Sequence, residues 1–144
     1  VKSPESYPGR TIATNQILLA SAARTATGTG DAVELQGYSA LFLQLDVTAV
    51  ATAAADTLNV FIQTMVDGSN WVDVYHFTEV VGNGGAKRYF GKLVFDAALT
   101  EFENAAALAA AGGRSIFGDS YRVRWAVIDD TSPSFTFSVK VNAT

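Results

Sequence analysis

Leu41-Phe42-Leu43-Gln44-Leu45-Asp46-Val47 sets leucine or valine at every second position, and that period decides the fold class. Successive side chains of an extended chain point to opposite sides, so Leu41, Leu43, Leu45 and Val47 form one apolar face. Phe42 falls on the opposite parity, which hints at a second buried surface on the same strand. The period recurs in Leu58, Val60 and Ile62, in Tyr121, Val123, Trp125 and Val127, and in Phe135, Phe137, Val139 and Val141. Residues 12–20, 33–35, 71–80 and 89–95 read as further strands.

Turn chemistry punctuates these runs. Asp67-Gly68-Ser69-Asn70 joins two β-like segments, and Asp-Gly in that setting is a strong hairpin signal. Gly82-Asn83-Gly84-Gly85 makes the next sharp connection, so residues 58–95 predict three consecutive strands in an antiparallel meander. Asp129-Asp130-Thr131-Ser132-Pro133 marks another turn, where aspartate caps and Pro133 ends pairing. Between 97 and 113 the pattern breaks. Thr100 with Glu103 fits a capping box, Ala105 to Ala111 favours helix, and Gly112 stands where a C-terminal cap would go. A short helix insertion is expected there, with an alanine-rich loop as the alternative.

Together these features predict an all-β fold: an antiparallel β-sandwich or small β-barrel of about seven or eight strands. Residues 11–144 form its single domain, and residues 1–10, with two of the three prolines, form an extended arm. The arm has no apolar h-region, and no stretch reaches the roughly 20 apolar residues that span a bilayer.

At 144 residues the chain can bury a proper core, and without cysteine it does so with neither disulfides nor thiolate metal sites. Charged residues make up 17%, below the roughly 25% of ordinary soluble domains. With 49% hydrophobic residues, that composition suggests self-association. A net charge of −4 argues against general nucleic-acid binding and against electrostatic attachment to anionic membranes.

Little in the chain is reactive. His76 is the one histidine, and a serine triad would have to use it with Asp73 or Asp46 as the orienting acid. Its parity sets it on the face of Val72 and Val74, opposite Trp71, Asp73, Tyr75 and Phe77. No Gly-x-Ser-x-Gly elbow exists, so His76 reads as a half-buried, hydrogen-bonded residue. Gly82 to Arg88 lacks the Gly-Lys-Ser/Thr ending of a phosphate loop and lies between strands. Asp129-Asp130 and Glu101/Glu103 have structural explanations as a turn and a helix start. The expectation is no enzyme, no cofactor and no metal.

Aromatic residues carry the remaining signal. Trp71, Tyr75 and Phe77 share one parity and Tyr89 and Phe95 another, forming either core or an interaction surface. The candidate interface is therefore Tyr7, Pro8 and Arg10 of the arm with Trp71, Tyr75 and Tyr89 of the strands.

The segment Val60-Phe61-Ile62-Gln63-Thr64-Met65-Val66-Asp67-Gly68-Ser69-Asn70-Trp71-Val72-Asp73-Val74 resembles a hairpin common in tailed-bacteriophage virion proteins. Residues 77–90 are similar to the next hairpin of such proteins, and the resemblance spans roughly 33–95. It implies a capsid decoration (cement) protein on the virion surface, made in the host cytoplasm. Such a protein binds the major capsid protein, bridges its subunits and is typically a homotrimer. An N-terminal arm of this class often adds a strand to a neighbour's sheet, through backbone hydrogen bonds that tolerate a nondescript sequence. The alternatives are a carbohydrate- or receptor-binding β-sandwich using Trp71 and Tyr75, and a phage tail or head–tail joining subunit.

Overall fold

Among the described residues the alternating runs fold into eleven antiparallel strands in a computed structural model. It describes residues 14–50, 52–96, 98–104, 106–129 and 131–144. The arm, and with it Tyr7, Pro8 and Arg10, lies outside the described residues. Seven strands are long: β1 (Thr14–Arg24), β4 (Ala40–Val50), β5 (Thr57–Met65), β6 (Trp71–His76), β8 (Lys87–Val94), β10 (Ser120–Ile128) and β11 (Phe135–Ala143). Four are two-residue pieces: β2 (Gly28–Thr29), β3 (Val33–Glu34), β7 (Val80–Val81) and β9 (Gly112–Gly113).

Two sheets stack as a sandwich. The smaller has the order β1-β11-β4-β8. The larger runs β2-β10-β5-β6-β9, with β3 also on β10 and β7 also on β5. The alternating residues meet between them. Leu41, Leu43, Leu45, Phe135, Phe137 and Val139 of the small sheet face Leu58, Val60, Ile62, Tyr121 and Val123 of the large one, all essentially solvent-free. Each such side chain contributes roughly 1.5–3 kcal/mol by leaving water, so the strand period and the core are the same fact. Trp125 closes one end. Its Nε1 donates to the Ala26 carbonyl at 2.8 Å, its ring meets Phe137 edge-on, and Arg24 lies over both rings.

The Asp67 hairpin forms as read, joining β5 to β6 with Gly68 at φ +77°. Asp67 Oδ1 accepts from the Ser69 and Asn70 amides, and Oδ2 accepts from Asn70 Nδ2. The meander stops there. Beyond Gly82-Asn83-Gly84-Gly85 the chain crosses to the other sheet, where β8 pairs with β4. The turn is an arch, held by Gly82, whose amide donates to the Asp56 carbonyl and whose carbonyl accepts from Thr52. A glycine-rich turn states that the chain reverses but not which sheet receives it.

No helix forms among the described residues, so the insertion near 97–113 is the alanine-rich loop. Alanine propensity alone does not hold a helix in water, and between Ala106 and Ala111 Leu108 is the one large apolar side chain where a helix needs an apolar stripe to bury. Its carbonyls bond elsewhere: Ala106 and Ala107 accept from Arg114 and Leu108 from His76. Ala111 turns the chain at φ +59°, donating its amide to the His76 carbonyl before β9 pairs with β6.

Candidate docking face

Each sheet has an outer face, and the two are built differently. On the large sheet, side chains align in rows across β10, β5 and β6: Arg124–Phe61–His76, then Arg122–Gln63–Asp73, then Met65–Trp71. Arg124 grips Asp73 side-on, with Nη2 at 2.9 Å from Oδ2 and Nε at 3.2 Å from Oδ1. Gln63 links the row, donating to Asp73 at 2.9 Å and accepting from Arg122 Nε at 2.8 Å. Aromatic rings brace both guanidiniums, with Arg122 4.3 Å above Trp71 and Arg124 3.9 Å above Phe61. Burial and the neighbouring Arg124 push the Arg122 guanidinium below its ordinary value, and Asp73 opposes them. His76 stacks on Phe61 at 4.0 Å; its Nδ1 donates to Leu108, and Nε2 meets Asn59 Oδ1 at 2.8 Å. This face is a bonded lattice in which polar groups answer one another.

That lattice corrects the expected aromatic row. The β5–β6 register shifts between Ile62 and Gln63: Gln63 pairs with Asp73 and Ile62 with Tyr75, leaving Val74 as an extra residue. Such a bulge reverses parity beyond it. Trp71 and Asp73 therefore point outward with His76, while Tyr75 and Phe77 turn inward. Tyr75 is 8% exposed and packs edge-on against Phe77. It occupies the space above Gly91, where a Cβ would lie 2.3 Å from its ring. Tyr89 is half-buried, pairs across from Leu45 and packs against the core. Of the three predicted strand residues, only Trp71 reaches the outer surface, and Arg122 lies across its ring.

His76 is half-buried and bonded at both nitrogens. The two carboxylates available to orient it are taken: Asp73 by Arg124 and Asp46 by Arg88, the latter at 3.3 Å. Among the described residues, no three His, Cys, Asp or Glu side chains group to hold a metal ion.

The small sheet's outer face carries the opposite character. One row runs Ile17–Lys140–Gln44–Phe90 across β1, β11, β4 and β8, and the next runs Asn15–Asn142–Phe42–Lys92. Ile17 is 58%, Phe42 46% and Phe90 71% exposed. Between them lies a trough of about 550 Å³, floored by Gln44, Lys140 and Asn142. Asn142 Nδ2 donates to Asn15 Oδ1 at 2.8 Å, while Lys92 and Lys140 have no hydrogen-bond or ion-pair partner among the described residues. Both edges of this sheet, β1 and β8, are long strands, whereas β2, β3 and β9 flank the large one. Large apolar side chains left in water on a sheet, next to unpaired cations, are the chemistry of a docking surface.

The aromatic rows did not point to this face; only the opposite parity of Phe42 did. Its signal is a large apolar residue on the wrong parity: Phe42 between Leu41 and Leu43, and Phe90 between Tyr89 and Gly91. Comparison with protein-family models and with curated proteins finds no match to this chain.

Proposed function

We propose that this chain is a non-enzymatic structural protein of a virion, of the capsid decoration type. It seats the outer face of its four-stranded sheet on the shell. The observation that carries the reading is that Ile17, Phe42 and Phe90 stand exposed together around one trough on the small sheet's outer face. Covering the part of each side chain still in water yields roughly 1–2 kcal/mol, enough for a modest contact that repetition over a lattice makes firm. The hairpin resemblance over residues 33–95 supplies the virion assignment, and the major capsid protein is the partner it implies. A homotrimer with residues 1–10 reaching a neighbouring subunit completes the reading. Burial of Tyr75, and Arg122 lying across Trp71, count against a carbohydrate platform on the other face.

The test is co-sedimentation of the purified chain with shells assembled from the major capsid protein of the same genome, beside light scattering of the free chain. Saturable binding and a mass of about three 15.2 kDa chains are expected for a decoration trimer. Rings of six or twelve chains would move the assignment to a tail or head–tail joining subunit. Failure to bind shells at any concentration contradicts the reading.

A further inference from the structure

The charges around the trough identify what kind of surface it fits. Arg88, Lys92 and Lys140 stand on the small sheet's outer face against one carboxylate, Asp46, which Arg88 already holds. The face is thus +2 (three cations less one anion) on a chain of net charge −4, so the rest of the chain carries −6. The two unpaired cations sit beside the exposed apolar groups: Lys92 pairs across from Phe42, and Lys140 across from Ile17.

We propose that this face takes an acidic, apolar protein segment, an aromatic or aliphatic side chain seated among Ile17, Phe42 and Phe90 with its carboxylates on Lys92 and Lys140. The inference rests on the docking role above and names its partner's chemistry. Opposite charge steers encounter and fixes register, while the apolar contact supplies affinity. Two other occupants fit less well. A second copy docked face to face about a two-fold axis would set the same lysines against one another. Residues 1–13 carry Lys2 and Arg10 against Glu5, the same sign as the face.

Two synthetic peptides test it, each with a central Phe-Leu pair, one flanked by glutamates and one by lysines. They are titrated into the full chain and followed by amide NMR. The glutamate peptide should move the resonances of Ile17, Phe42, Phe90, Lys92 and Lys140. It should bind about tenfold more tightly than the lysine peptide, which is what two exposed ion pairs supply together. K92E/K140E, at two exposed positions whose folding the same spectra verify, should reverse that preference. Equal binding of both peptides, no binding of either, or shifts confined to the Trp71 face would overturn the proposal. So would the same resonances moving with protein concentration alone, which would make a second copy the occupant. Shell binding without a charge preference would leave docking standing and overturn this chemistry, whereas peptide binding without shell binding would do the reverse.

Discussion

Phe61 and Phe90 both point outward from the sandwich on opposite faces, Phe61 from the interior strand β5 and Phe90 from the edge strand β8, and their surroundings differ completely. Phe61 is half-buried, stacked by His76 and covered by Arg124. Phe90 is 71% exposed, at the rim of an open trough. One outer face has spent its polar and aromatic groups on itself; the other leaves apolar groups and lysines unanswered. An interface is found less by which residues are aromatic than by which have partners already.

The sharpest way to break that contrast is to remove matched side chains. Phe61→Ala should cost about 2–3 kcal/mol, toward the low end for aromatic truncation because the ring is only half-buried. Phe90→Ala should stay within about 0.5 kcal/mol. Urea unfolding of both variants measures the difference, and equal costs would erase the distinction between the faces. Next in size, Asp73→Ala leaves Arg124 and Gln63 without their common acceptor and should cost about 2 kcal/mol. Tm should fall accordingly, with the outer-face rows the first region to lose exchange protection.

A smaller effect is expected at the lattice's edge. His76→Phe keeps a ring over Phe61 but removes the bonds to Leu108 and Asn59, at a cost of about 1 kcal/mol. Hydrogen exchange at Ala106 should quicken while the core strands stay protected. The smallest effect comes from acid. The Asn70 amide, then the Asn70 side chain and the Ser69 amide, pull the Asp67 carboxyl from 3.8 down to about 2. A carboxyl depressed in the folded state stabilises above its unfolded value and loses that contribution as pH falls through its folded value. Wild type should therefore lose a small Tm advantage over Asp67→Asn between pH 4 and 2. An unchanged difference across that window would mean the hairpin bonds are not maintained in solution.

The strand periods and the Asp67 turn were legible because each is local: alternation follows from backbone geometry, and the Asp-Gly pair builds its own bonds. What escaped depends on distant partners. The extra residue at Val74 exists only against β5, yet it sends Tyr75 inward and brings His76 out onto the same face as Trp71. Ala106 to Ala111 carries helix propensity, but Arg114 and His76 claim its carbonyls. The arch at Gly82 answers to Thr52 and Asp56, residues no turn rule would consult. The docking face was half legible, since Phe42 stood out against its leucine neighbours. Ile17 and Phe90 joined it only when β1, β11, β4 and β8 were placed side by side.

Hydroxyl-radical footprinting of the chain, free and bound to shells, tests the contrast between the faces most directly. Ile17, Phe42 and Phe90 should be strongly protected on binding while Phe61 and Trp71 react as before. Protection of Phe61 and Trp71 with Phe42 and Phe90 unchanged would place the interface on the self-bonded face and contradict the assignment.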